Sequence, residues 1–324
     1  MNFRTEIIPD ISTIPIEHHH KILTIGSCFA ENIGEYFFYY KFDVLSNPFG
    51  VLYNPVSIFN GIKILSDEKM FTEKDLIFDQ DEWHSFYHHS DFSHHDKQKC
   101  LDKINSGIKR TKEFLTSSDY FIITYGTAFV FEHKERGIIV SNCHKIPGNQ
   151  FNRYLLSFED TKQRIDRTIN LLKEINSKLK IILTISPVRH WRDGAVDNQL
   201  SKSILFLALH ESIKGKENCF YFPSYEIVMD DLRDYRFYKQ DMLHPNNIAT
   251  DYIWDKFSGT FLSEGCLKII TEVKKIIQAA EHRPRNTNSP KHKEFAASMI
   301  KLIDTLEKKH PHINLESERN IFTV

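Results

Sequence analysis

The chain has 324 residues, a formal net charge of −1, 41% hydrophobic and 26% charged residues. That length suits one large α/β domain with appendages or two small domains, with apolar material enough for a sizeable core. The near-zero charge balance argues against a general nucleic-acid binder, which carries a strong basic excess, and no apolar run approaches the roughly 20 residues that span a bilayer.

Residues 1–20 are polar and end in His18-His19-His20, an extended lead-in without the charged-then-apolar pattern of a signal peptide. Next, Ile22 to Ile25 reads as a buried strand, broken by Gly26. Phe29, Ile33 and Phe37 then recur at helical spacing. Ser27 therefore falls on a strand-to-helix turn, where a hydroxyl projects from the carboxyl edge of a sheet beside free N–H groups and a positive dipole end. Such a serine suits a nucleophile; it also suits a plain helix cap.

A short strand at Phe42 to Leu45 runs into Asn47-Pro48-Phe49-Gly50, then Val51 to Pro55, a turn-rich loop from which Asn54-Pro55 starts a helix through Ile58 and Ile62. From Phe71 to Lys99 no long periodic segment stands out. Its run from Trp83 to His95 packs five histidines and four aromatics, which favours a semi-ordered flap lining a pocket over a metal site. A helix follows from Ile104 to Leu115, then a strand from Tyr120 to Thr124 ending in Tyr125-Gly126-Thr127-Ala128. Phe129–His133 and Ile138–Ser141 read as a hairpin pairing His133 with Ile138. Continued, that register returns Asn142 and His144 towards Thr127.

Ile165 to Leu172 marks another helix. Lys180 to Ile185 is the fourth strand, stopped by Ser186-Pro187 and followed by the polar loop Arg189-His190-Trp191-Arg192. A helix over Leu200–Leu209 and a fifth strand over Cys219–Phe222 complete the alternation of strands and helices that implies βαβ crossovers and a parallel sheet. Asp241-Met242-Leu243-His244-Pro245 precedes the helix through Ile248, Ile253 and Phe257. Beyond Gly265 come two helices, Leu267–Ala280 and one through Met299 and Leu306, with a polar break over His282–His292. We expect a domain over residues 1–265, with an insert at about 66–103, and a helical extension over 266–324 that packs on the sheet's flank or mediates homo-oligomerisation. Five cysteines (Cys28, Cys100, Cys143, Cys219, Cys266) are scattered and never spaced as CxxC, the pattern of a reduced, cytoplasmic protein.

In open parallel sheets ligands bind at the carboxyl edge, where four of these polar loops fall. On one loop, Asp241 can accept the Nδ1 proton of His244 and leave Nε2 as a base, so Ser27, His244 and Asp241 form a plausible acyl-transfer unit.

Gly26-Ser27-Cys28-Phe29-Ala30 resembles the signature of the GSCFA domain family, a branch similar to the SGNH (GDSL-like) hydrolases. The stretch Asn47–Pro55, Gly126-Thr127-Ala128, Asn142–Lys145, Ser186–His190 and Asp241–Pro245 match the same family, over about residues 20 to 260. The resemblance implies a flavodoxin-like three-layer α/β/α fold with a five-stranded parallel sheet, Ser27 as nucleophile, His244 as base and Asp241 as its orienter. It implies an oxyanion hole using the N–H groups of Ser27 and Gly50. The asparagine that SGNH enzymes place after the third strand is missing from Gly126-Thr127-Ala128-Phe129, which leaves Thr127 or Asn142 for that donor. Asn54, Gly126, His144, Arg189 and His190 are the expected substrate-binding residues, the arginine loop suiting an anionic or sugar-like ligand. The expected activity is a serine esterase or deacylase acting on an acylated carbohydrate or small polar metabolite, without cofactor or metal, and without nucleic-acid or membrane partners. A non-hydrolytic glycan- or acyl-ligand-binding protein and an O-acyltransferase are the alternatives.

Overall fold

The computed structural model describes residues 4–282 and 289–323. The chain enters through β1 (Lys21–Gly26), α1 (Cys28–Tyr39), β2 (Asp43–Ser46) and α2 (Pro55–Ser66). A small hairpin of β3 (Leu76–Asp79) and β4 (Glu82–Ser85) precedes α3 (Lys97–Thr116) and β5 (Tyr120–Tyr125). Then come β6 (Phe129–His133), β7 (Ile138–Val140) and β8 (Phe151–Leu155), followed by α4 (Phe158–Ile175), β9 (Lys180–Ile185), α5 (Gly194–Ile213) and β10 (Cys219–Phe222). The short α6 (Ser224–Glu226) leads to α7 (Asn247–Phe261), α8 (Glu264–Glu281), α9 (Pro290–Lys309) and α10 (Glu316–Phe322).

The sheet order is β2-β1-β5-β9-β10 with every neighbouring pair parallel. This is the flavodoxin-like order, which turns back at β1, so the crevice lies beyond the carboxyl ends of β1 and β5. Period-two alternation splits the strand residues between two cores. Leu23, Ile25, Phe121, Ile123, Ile181 and Leu183 face α2, α3, α4 and α5. Ile22, Tyr120, Ile122, Ile182 and Phe222 face α1 and α7. Helices therefore cover both faces, as a parallel sheet requires.

The C-terminal helices pack on each other through Val273, Ile276, Met299, Ile303, Leu306 and Phe322, and reach the main body at Tyr39. Lys41 pairs with Glu318 at 2.7 Å, and His18 meets His312 at 3.0 Å. Of the two uses expected for this extension, packing against the body is the one observed. Residues 283–288 of the expected polar break lie outside the described residues. No helix among the described residues is long and apolar enough to cross a membrane.

Three sequence expectations are corrected. The stretch from residue 71 to 99 is not a semi-ordered flap: β3 and β4 pair around Gln80 and Asp81, both at positive φ, the geometry of a two-residue hairpin turn. Its imidazoles are engaged internally. His84 Nδ1 lies 2.7 Å from Ser93 Oγ, and His88 is 1% exposed with Nδ1 2.9 Å from Ser85 Oγ. The β6–β7 register does pair His133 with Ile138, but the ladder ends where Phe131 meets Val140. Ser141 N–H then donates to Phe86 O at 2.7 Å, so the chain turns to the insert instead of returning to Thr127. Lastly, β8 pairs with the free edge of β6, a strand that the sequence pattern did not suggest.

Candidate active site

Ser27 stands where the resemblance placed it. Gly26, at φ +141°, lies so close to β5 that a Cβ would sit 2.2 Å from Thr124 O, so only glycine permits the β1–β5 contact here. Ser27 is the N-cap of α1, 1% exposed, and its Oγ accepts from Phe29 N–H at 3.3 Å. The cap reading is thus correct. It does not compete with reactivity, because the same N–H and helix end favour negative charge on Oγ.

Asp241 holds the other half of the site. Its Oδ1 accepts from Leu243 N–H at 2.9 Å and His244 N–H at 3.0 Å, and its Oδ2 lies 2.6 Å from His244 Nδ1. Met242, at φ +60°, closes that tight loop. The backbone donors from His244 and Leu243, followed by the imidazole, hold the Asp241 carboxyl down at about 2. An ionised Asp241 fixes the proton on Nδ1 and leaves Nε2 of His244 open.

Ser27 and His244 line one cleft of about 420 Å³, within the range of small-molecule sites. Its walls come from the loops after β1, β2, β5 and β9, with Phe129, Phe131 and Asn142 closing it from the β6–β7 side. No hydrogen bond joins Ser27 Oγ to His244 among the described residues, a looseness common before substrate binds. Cys28 lines the same cleft; burial, then Glu31, push its thiol pKa up, which disfavours a thiolate.

The expected oxyanion donors are only partly there. Ser27 N–H extends the β1–β5 ladder to Thr124 O at 3.1 Å, and Gly50 N–H donates to Asn47 O at 2.7 Å. Gly50 faces a different groove, and its positive φ of +74° and missing side chain accommodate His89, whose Cβ would lie 2.1 Å from a Cβ at position 50. The Gly50 expectation is therefore corrected: its role is to seat the histidine-rich insert. Asn142 lines the cleft, but its Oδ1 accepts from His144 N–H at 2.8 Å and its Nδ2 turns to Ser90 Oγ at 3.5 Å. Thr127 Oγ1 accepts from Phe129 N–H at 3.1 Å and shares a proton with Ser201 Oγ at 3.0 Å.

Two other donors stand open. Cys28 N–H is the first of α1 and finds no carbonyl acceptor among the described residues. Asn54, 6% exposed and in the cleft wall, caps α2 by accepting from Ser57 N–H at 2.9 Å through Oδ1. That bond orients the amide and leaves Nδ2 without an acceptor among the described residues. Sequence reading noticed Asn54 as a cap and as a ligand contact; the signal it missed is that a capping asparagine keeps a second, donating end.

Of the remaining expected contacts, Arg189 and His190 line the cleft. Burial, then Lys202 and Arg153, lower the His190 pKa to about 4, so it stays neutral near pH 7. Gly126 and His144 do not line it. Gly126 lies beneath, its N–H donating to Tyr53 O at 2.7 Å and its carbonyl accepting from Lys202 Nζ at 2.7 Å. His144 is 5% exposed, stacks on His84 at 4.6 Å between ring centres and holds Ser85 O at 2.8 Å through Nε2. It thus braces the hairpin against the insert. No group of three or more acidic, histidine or cysteine side chains among the described residues is arranged to hold a metal ion.

Two family models match the chain: the GSCFA family over residues 21–257, and the GSCFA domain protein, C-terminal domain, over residues 273–324. A comparison with curated proteins gives no match. Among solved structures the chain is similar to an acetyl xylan esterase from the rumen bacterium Butyrivibrio proteoclasticus, at 12% identity, over 76% of this chain and 67% of that one, with a TM-score of 0.34.

Proposed function

The chain belongs to the GSCFA family, and from that premise we propose that it is a serine ester hydrolase of the SGNH type. Its substrate in this reading is a small acyl ester, acetyl above all, of a carbohydrate or other small polar metabolite. One observation carries the reading: the capped Ser27 and His244, 217 residues apart by their numbering, line the same 420 Å³ cleft, and His244 is paired to Asp241 behind it.

In this mechanism Ser27 Oγ attacks the ester carbonyl carbon while His244 Nε2 takes the hydroxyl proton, and Asp241 stabilises the resulting imidazolium. Cys28 N–H and Asn54 Nδ2 donate to the developing oxyanion, in the places first expected of Gly50 and Asn142. Collapse expels the alkoxide, which takes the proton from His244 and leaves as the alcohol. Water, deprotonated by His244, then attacks the acyl-enzyme, and Ser27 recovers its proton as the free acid departs.

A fluorophosphonate probe tests this directly, since it reacts quickly only with an activated serine. The wild-type protein is expected to label at Ser27 and release acetate from acetylated sugars. Ser27→Ala and His244→Ala are each expected to lower turnover by about 10⁴-fold or more. Undiminished labelling of Ser27→Ala, or a wild-type protein that neither labels nor turns over, overturns the reading and favours a binding protein.

A further inference from the structure

We propose that the cleft selects esters whose alcohol portion carries an anionic group, a carboxylate or a phosphate, bound by Arg189 with Arg192 beside it. The inference rests on the hydrolase reading for the word ester, but the anion site stands on its own geometry.

Three arginines line the cleft, Arg153, Arg189 and Arg192, against one carboxylate, Asp193, in a chain whose overall charge is −1. Arg153 is already committed: it pairs with Asp193 and stacks over the Phe129 ring at 3.9 Å. Arg189 is not. Its Nη2 meets the Met229 sulfur at 3.2 Å, and its polar neighbours include the neutral hydroxyls of Tyr225 and Tyr238. Its Nε is fully buried without a hydrogen-bond partner. The guanidinium also borders the next depression along the surface, with Asp234 and Asp241, yet no carboxylate among the described residues lies within ion-pair distance of it.

A half-buried guanidinium with an orphaned Nε is costly to keep unless a counter-ion arrives. Its planar fork matches the two oxygens of a carboxylate or phosphate. Arg192 is exposed at the same rim and has no ion-pair partner among the described residues. Burial, then Lys202 and Arg153, keep His190 neutral, so this imidazole leaves the anion to the arginines. His244 and Ser27 lie in the same cleft, which puts the bound anion on the substrate that presents its ester to them. Because the acyl group of the proposed reaction is acetyl, which carries no charged group, the anion belongs to the alcohol half.

The experiment compares acetylated glucose, acetylated glucuronate and acetylated glucose 6-phosphate as substrates, and measures binding of free glucuronate and glucose 6-phosphate by calorimetry. The charged esters are expected to exceed the neutral one at least about tenfold in kcat/KM, with the advantage shrinking as salt rises from about 0.05 to 0.5 M. The two charged arms tell carboxylate from phosphate. Arg189→Met and, at the exposed rim, Arg192→Gln are expected to reduce the charged-to-neutral ratio, and Ser27 labelling by the fluorophosphonate reports whether each variant retains a folded site. A protein that labels at Ser27 but shows no preference for charged esters overturns the inference and leaves the hydrolase reading standing. Arginine-dependent binding of the free anions without labelling or turnover does the reverse. No anion binding and no charge preference in the wild type sinks it outright.

Discussion

Asn54 lines the cleft and caps α2 through Oδ1, at 2.9 Å from Ser57 N–H, which leaves Nδ2 without an acceptor among the described residues. Serine caps a helix about as well as asparagine but has no amide to extend towards a carbonyl oxygen. Asn54→Ser is therefore expected to keep the melting temperature within a few degrees and lower kcat by about a hundredfold or more, with KM little changed. Asn142→Ala is expected to cost only a few-fold, since its amide already serves His144 and Ser90. Steady-state kinetics of the two variants decide between them, and the opposite ranking would return the donor role to Asn142. The residues proposed as catalytic were legible because each carries its own local signature: Gly-Ser ahead of a helical repeat, and Asp-x-x-His closing on itself within four residues. The donors were not, because a backbone N–H advertises nothing in sequence. Whether it is free depends on which carbonyl the fold brings near, as Gly50 and Asn47 illustrate.

At the scale of elements, α5 does more than cover the sheet. Lys202 is fully buried on it, and its Nζ donates to Gly126 O and Ser186 O, both at 2.7 Å, so one ammonium ties together the loops after β5 and β9. Burial lowers its pKa to about 7; even as a neutral amine it retains two N–H donors for the two carbonyls. Lys202→Met fills similar space but orphans both oxygens, at about 1–3 kcal/mol each. Chemical denaturation is expected to register that loss, and an unchanged unfolding midpoint would remove the tether from the account. Nothing in the sequence sets Lys202 apart near the start of Leu200–Leu209; only the loops after β5 and β9 make it structural. The inner parallel strands β1, β5 and β9, by contrast, were readable as apolar runs buried on both faces, and the shorter, less buried β2 and β10 by the Asn-Pro and Pro that end them. β3, β4 and β8 escaped for the opposite reason. They are four or five residues long, half exposed, and β3 and β4 turn on Gln80-Asp81 without the glycine or asparagine that usually marks such a turn.

Across the whole molecule, several imidazoles are buried neutral. Burial brings the pKa of His18, His144 and His190 down to about 4 and that of His88 to about 3. Each therefore binds its proton less readily folded than unfolded, where a histidine titrates near 6.5. Their contribution to stability is present above about pH 6.5 and is lost as pH falls towards 4. Partly buried carboxyls such as Glu31, Glu226 and Asp193, which burial pushes above their usual range, act in the opposite sense. The melting temperature is expected to fall between pH 6.5 and 4, and to fall less steeply in His88→Gln. A flat curve over that window, or one unaltered by the His88 substitution, would show that these rings are not kept neutral by the fold.

The sheet order β2-β1-β5-β9-β10 also has a consequence in time. The strand carrying Ser27 is the first made and yet lies inside the sheet, flanked by β2 and by β5, which begins at Tyr120. The proposed base arrives only after β10, when the loop at Asp241–His244 has left the ribosome. Parallel pairing joins residues far apart in sequence, which makes such contacts slow to form. On the proposed mechanism, a nascent chain therefore holds a serine with neither base nor full cleft for most of its synthesis, and reactivity switches on in one late step, when the last loop closes over an edge that has long been waiting.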